Sequence, residues 1–535
     1  MRTLTALIVV VLLVPGAWAA PAASRGEVLY RQGLLPTGEP LRGTREADVN
    51  VEGAAAACVS CHRRSGLGSQ EGRYIIPPII GRYLFRPGLR NIEDMNVPHV
   101  EGYRPNRSAY TDETLARAIR DGIDADGREL NYLMPRFKLD DAAMKDLIAY
   151  LRQLTSQPVP GVTEDTLHFA TIITPDTDPA KRQAMLSVLE QFFADKNSFI
   201  RGGHRTMHAS REIMYRVTRQ WKLHVWELNG PPETWEQQLH ERLAAEPVFA
   251  VISGLGGKTW APVHRFCEHE GVPCLLPNID LPVVAENDFY PVYFSKGILL
   301  EAQLISRQIR EMESRPRKVT QIFRRGDIGE DAAAAVRSSL LPEGMQVQDI
   351  ALPESGLPQM VGSVLKDNSA GSVVVLWLRP GDLAALPEAL PQVPSVFISG
   401  LMGGLEHSPV PTSWREAAHM SYPFDLPDQR RIRMNFPSIW FKVHNIPVVD
   451  ERMQSDTYLA CGILAETLAE MLDSFVRDYL VERVEIMLSH RVITGYYPRL
   501  GLAPGQRFAS KGGYMVKLAG KEGNRLVADS DWIVP

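Results

Sequence analysis

Cys58, Cys61 and His62 fall in the run Ala57-Cys58-Val59-Ser60-Cys61-His62, a Cys-x-x-Cys-His pattern. On one turn of helix, positions i, i+3 and i+4 share a face. Two thiols so placed can form thioethers to the vinyl groups of a haem, while the neighbouring imidazole ligates the iron from below the ring. The spacing is that of c-type haem attachment. A closed zinc site would use the same residue types but needs four ligands. The other cysteines, Cys267, Cys274 and Cys461, lie far along the chain. One covalent haem c is the cofactor this motif predicts.

The elements that must position the motif are a few short helices. Residues 24–32 read as a short amphipathic helix, a Gly-rich polar stretch follows to Gly53, and the alanines at 54–57 lead into the haem helix. Residues 66–107, with Pro77, Pro78, Pro87, Pro98 and Pro105, show neither helical nor strand period and read as a long loop along the cofactor. Thr111 caps a helix that Gly122 stops. After Leu130 to Phe137 comes a helix from Asp140 to Leu154, with Ala143, Leu147, Tyr150, Leu151 and Leu154 on its buried face. Pro158 and Pro160 mark the end of this domain, expected to span 24–157.

This region resembles a monohaem class I c-type cytochrome. The resemblance rests on the Gly26/Tyr30 helix before the motif, on Cys58 to His62, and on Met134-Pro135 ahead of a closing helix with Tyr150-Leu151. It implies that Met134 is the distal iron ligand, opposite His62. A thioether is a soft ligand that raises the potential, and the proline keeps the loop extended. Met95, Met144 and His99 are the rival ligands, His99 giving a bis-imidazole iron.

The chain has 535 residues, enough for two or three domains. Its formal net charge of -5 makes no electrostatic case for nucleic acid. A short basic start, an apolar run from Leu4 to Val14 and the small-x-small run Ala17-Trp18-Ala19 read as a cleaved signal peptide over 1–20. That run is too short to span a bilayer permanently, and no later segment is long and apolar enough, so the mature chain is expected in the periplasm without a membrane span.

From Leu167 the pattern becomes apolar strands alternating with amphipathic helices, the signature of an α/β fold with parallel sheets. The landmarks are the strand, Gly-rich loop and helix at Ser253–Trp260, the Gly-Val-Pro-Cys strand at 271–274, and the Gly326-Asp327-Ile328-Gly329 turn. The Asp456-Thr457-Tyr458 helix start and the Pro504-Gly505-Gln506-Arg507 hairpin complete them. Together they resemble a type I periplasmic solute-binding protein of the branched-chain amino-acid-binding kind. The fold this implies is multidomain: a small all-α cytochrome c domain, then a two-lobed α/β periplasmic-binding-protein type I domain over 163–535. The lobes are expected at 163–295 with 422–500, and at 296–421 with 501–535.

In open parallel sheets, ligands sit beyond the carboxyl ends of the strands. That places Ser253, Lys258, Thr259, Asn278, Asp280 and Arg379 as ligand-binding candidates. The family's serine-rich carboxylate loop is replaced here by Gly254-Leu255-Gly256-Gly257-Lys258, so the resemblance implies the shape rather than amino-acid binding. Cys267 and Cys274 flank a helix-to-strand turn in an oxidising compartment, which predicts a disulfide, with two buried thiols as the alternative. The lone histidines His204, His208 and His264 show no metal-ligand spacing.

No catalytic triad, P-loop or paired carboxylate frame is present, and a His/Met iron leaves no open coordination position. An electron carrier rather than an enzyme is therefore expected. Its binding-protein-like domain would bind a small-molecule solute or dock a periplasmic redox partner, a dehydrogenase or another cytochrome. The alternative is a solute receptor for a transporter or sensor, with the haem as structural or redox control.

Overall fold

The computed structural model describes residues 23–45, 48–71, 74–88, 107–203, 219–313, 316–356, 359–368, 372–389, 393–415, 418–471, 474–491, 495–519 and 525–535. The expected signal peptide, Met95, His99, His204 and His208 lie outside them. By contact the chain divides into two units. Of the described residues, one holds 23–61, 79–88 and 107–154. The other holds 62–78 and those from 155 to 535.

In the smaller unit, helix Arg25–Gln32 starts where the Ser24 hydroxyl accepts the Glu27 N–H at 3.1 Å, and ends at Gly33 in the left-handed conformation. Helix Asp112–Asp121 has Thr111 at its cap and Gly122 at its end, as the sequence predicts. Helix Asp141–Gln153 is capped by Asp140, whose Oδ1 accepts from Ala143 N at 2.7 Å. The first and last of these helices pack together, with the Tyr30 and Tyr150 rings 5.3 Å apart. Gly26 makes that approach possible: a Cβ there would meet Asp146 O at 2.2 Å and Tyr150 Cβ at 2.7 Å. Gly26→Ala should therefore destabilise this unit by about 1–3 kcal/mol through overpacking. Thermal unfolding followed by haem-region circular dichroism measures it, and an unchanged transition would mean the helices separate without cost.

The unit is not purely helical, which corrects the all-α expectation. Val49–Glu52, Arg42–Arg45 and Arg136–Phe137 form a three-stranded antiparallel sheet. The polar Gly-containing stretch expected to be irregular doubles back on itself, and the segment after Met134-Pro135 adds the third strand. The stretch expected as a loop from 66 also carries order: the antiparallel strand pair Ser69–Glu71 and Tyr74–Ile76 belongs to the larger unit, and the short helix Gly81–Leu84 to the smaller.

Besides that strand pair, the described residues of the larger unit form two large sheets. The first runs, in spatial order, Pro291–Val292, Cys274–Leu275, Ala250–Ile252, Thr166–Ile173 and Gln220–Glu227, all parallel. The second runs Gln346–Leu352, Lys318–Arg324, Val373–Trp377, Val396–Ser399 and Ala418–Tyr422 in parallel. Tyr514–Ala519 and Arg525–Ala528 then close its edge antiparallel. Strand Val373–Trp377 is buried at every position, as a strand covered on both faces must be. Cys267 and Cys274 do not form the expected disulfide: both are free thiols, fully buried in the core beneath the first sheet with Val263, Phe266 and Val272. Burial pushes the Cys267 thiol well up, so both behave as small apolar residues. Cys461 is likewise buried core.

Candidate functional site

Helix Val59–His62 carries the haem motif. Cys58 and Cys61 are partly exposed, and neither is in a disulfide. His62 is buried, and its Nδ1 donates to Pro77 O at 3.0 Å. That bond sets the tautomer and leaves Nε2 with its lone pair, the arrangement an iron-binding imidazole needs. Burial holds the His62 imidazole down to about 4, so it is neutral at physiological pH. Met134 sits half-buried in the turn after Asn131, with its N–H on Asn131 O at 3.0 Å and its carbonyl held by Arg136. The residues of the motif thus fit a covalently attached haem: two thiols outside any disulfide and a neutral imidazole of fixed tautomer. Met144, a rival by sequence, is buried inside the closing helix.

Residues 62–78 group with the larger unit. There Ser65 donates to Glu482 from its backbone N at 2.9 Å and its hydroxyl at 2.6 Å. Arg63 pairs with Glu485, and the Arg64 guanidinium lies 4.6 Å from the Phe289 ring centre. Burial lifts the Glu482 carboxyl to about 7. Nothing in the sequence marked helix Arg477–His490 as the carrier of these acids.

Within the larger unit, a cleft of about 440 Å³ opens between the carboxyl ends of the two sheets. Lys258, Asn278, Asp280 and Arg379 all line it, each from a loop that follows a parallel strand. Ser253 and Thr259 do not. Ser253 is fully buried with a positive φ of 47°, and its hydroxyl bonds Thr457 Oγ1 at 3.1 Å and accepts Asn278 Nδ2 at 2.9 Å. Thr259 accepts the Ala261 N–H at 3.3 Å, at the start of the next helix. Both support the wall rather than face the opening.

Three groups that sequence reasoning missed complete the lining. Asp176 comes from the turn after strand Thr166–Ile173, and Glu354 from the turn after Gln346–Leu352. Arg452 lies on helix Glu451–Met471, which begins five residues before the expected Asp456 because Asp450 Oδ1 accepts the Met453 N–H. Arg452 meets Asp280 at 3.0 Å. Burial opposes its charge, but Asp280, Asp450 and Asp456 outweigh burial and hold the guanidinium above its ordinary value. Burial pushes Asp456 up to about 7 despite Arg452. Across the cleft Lys258 Nζ reaches Glu354 Oε1 at 2.5 Å, a bond that raises the lysine. His264 is structural: its nitrogens are taken by Tyr293 and Asp288.

Residues 52–155 match the family model described as Cytochrome c, a family that implies covalently bound haem c. Among solved structures, a fatty acid ABC transporter substrate-binding protein from Thermomonospora curvata is similar at 14% identity and a TM-score of 0.50. The similarity covers 71% of this chain and 95% of that one. The leucine-binding protein LivK from Thermotoga maritima is similar at 11% identity and a TM-score of 0.50, over 69% of this chain and 99% of its own. No curated protein matches the sequence. The chain therefore joins a cytochrome c region to the fold of type I periplasmic binding proteins. Among the described residues, no helix is long and apolar enough to cross a membrane.

Proposed function

We propose that this is an exported electron carrier whose single haem c serves a periplasmic redox partner, and whose two-lobed domain is a receptor for a small solute. The observation that carries the reading is the charged cleft at the carboxyl ends of two parallel sheets, in a chain that also holds a haem-attachment motif. Bound haem supplies one-electron chemistry at its iron. The chain's own groups would do the rest: Cys58 and Cys61 would tether the macrocycle, His62 Nε2 and the Met134 sulfur would hold the iron, and Pro77 O orients the imidazole. With His62 and Met134 both given to the iron, the group would pass electrons rather than bind a substrate, which favours a carrier.

A receptor that closes on a solute is stabilised by mass action, by about 2.7 kcal/mol at a hundredfold excess over the dissociation constant. A thermal-shift screen of alcohols, aldehydes, amides, amines and small acids on the full haem-loaded protein tests this. One class should raise the Tm, with the rise lost in Asp280→Ala. A flat screen alongside rapid haem reduction by a periplasmic dehydrogenase would refute the receptor and favour a docking platform.

A further inference from the structure

Helix Pro427–Val443 carries two stripes on opposite faces. Arg430, Met434, Pro437 and Phe441, at steps of four, three and four, are buried, and the Phe441 ring centre lies 6.3 Å from that of Tyr458 on helix Glu451–Met471. Ile432, Phe436, Ile439 and Val443 repeat the same steps half a turn away, and they are 60–72% exposed. Steps of three and four residues return to one side of a helix, so this second set is a continuous apolar face. Val448 and Val449, just past the helix end, are exposed as well. A helix packed on one face ordinarily turns polar side chains outward. Here the outer stripe leaves roughly 500 Å² of apolar surface in water, toward the upper end of the largest patch on a typical monomer, and patches of that size mark contact surfaces.

The rim of the stripe identifies what covers it. The helix holds four basic residues and one acid, Asp428 in the first turn. Arg430 and Arg433 are engaged by Glu406 and Asp425 of the same unit. Arg431 and Lys442 are exposed, lie along one edge of the stripe about three turns apart, and make no ion pair among the described residues. The covering surface is therefore apolar, with negative charge where it meets that edge. A second copy of the chain fits poorly. A standard dimer buries about 800 Å² on each partner, more than the stripe offers. Antiparallel pairing of the stripe with itself would also set Arg431 of one copy beside Lys442 of the other.

We propose that this face seats the protein on an anionic phospholipid bilayer. The four apolar side chains enter the boundary between headgroups and acyl chains, and Arg431 and Lys442 meet the lipid phosphates. A bilayer accepts a single convex helix without a matching groove, and a plane of phosphates satisfies both cations at once. The helix lies on the membrane and does not cross it, in keeping with the absence of a membrane-spanning helix among the described residues. The contact involves nothing of the solute cleft, so it stands or falls apart from the receptor reading.

The test is vesicle flotation of the full haem-loaded protein at low salt, with phosphatidylcholine alone and with equal parts phosphatidylcholine and phosphatidylglycerol. The wild type should float with the mixed vesicles and partition about thirtyfold more weakly onto phosphatidylcholine alone, where the two cations find no net negative charge. Phe436→Ser combined with Ile439→Ser should cut partition onto the mixed vesicles at least about tenfold. Arg431→Gln combined with Lys442→Gln should abolish the preference for phosphatidylglycerol. All four positions are exposed, so neither variant disturbs the core. A wild type left behind by both kinds of vesicle overturns the proposal, as does a serine double variant that floats like the wild type. A wild type that ignores vesicles and sediments as a dimer, with the serine double variant a monomer, overturns it in favour of a second copy.

Discussion

Protein carrying both Cys58→Ala and Cys61→Ala, matured in a host that attaches haem, should release essentially all of its haem to acid acetone, or fail to accumulate, whereas the wild type keeps one haem per chain. The reason is covalent. Only the thioethers to Cys58 and Cys61 survive a solvent that unfolds the chain and protonates His62. Met134→Ala supplies the contrast, because it removes an axial ligand without touching attachment. Its haem should survive extraction, its oxidised form should lose the weak near-infrared sulfur-to-iron band, and its potential should fall as the soft thioether gives way to water or nitrogen. Haem that extracts fully from the wild type would sink the attachment. An unchanged spectrum and potential in Met134→Ala would move the distal ligand to Met95 or His99.

The second large effect is one of pH. Glu301, on helix Ile298–Glu311, is fully buried, with Ser399 Oγ and Leu401 N, the latter at 3.0 Å, donating to its carboxylate oxygens. Burial pushes its carboxyl from 4.5 up to about 8, against the pull of those bonds. Between these values the folded chain holds a proton that the unfolded chain releases. Stability from this group is thus complete below about 4.5 and is lost as pH rises toward 8. One such proton changes stability by about 1.4 kcal/mol per pH unit. Urea unfolding at pH 5.5 and 7.5 should therefore show the wild type losing on the order of 2 kcal/mol more than Glu301→Gln across that interval. Tryptophan fluorescence isolates the relevant unit, because every tryptophan after Trp18 lies at or beyond Trp221. Equal slopes in the two proteins would show that Glu301 ionises freely in the fold.

What the sequence made legible follows from how local each signal is. Cys58, Cys61 and His62 are contiguous, so their chemistry is written in one helical turn. Lys258, Asn278, Asp280 and Arg379 were reachable because parallel strands announce their carboxyl ends, and ligand loops gather there. Asp176 and Glu354 sit in loops of the same kind, yet their roles come from pairing with Lys258, 82 and 96 residues away, which no local pattern encodes. Arg452 was hidden by a helix start read too late. The sheet of the smaller unit was illegible because Arg-Gly-Thr-Arg and Val-Asn-Val-Glu lack an apolar alternation strong enough to declare a strand. The thiols of Cys267 and Cys274 illustrate the opposite error, in which compartment and spacing suggested a bond that the packed core does without.

The Lys258–Glu354 pair links a loop of the first sheet to a loop of the second, and its side chains are 52% and 68% exposed. Exposed pairs of this kind contribute about 0–1 kcal/mol, and dissolved salt weakens them over a Debye length of about 8 Å at physiological strength. The resting gape of the two jaws is therefore set partly by the surrounding fluid. A dilute medium strengthens this contact between the two loops, and a saline one weakens it.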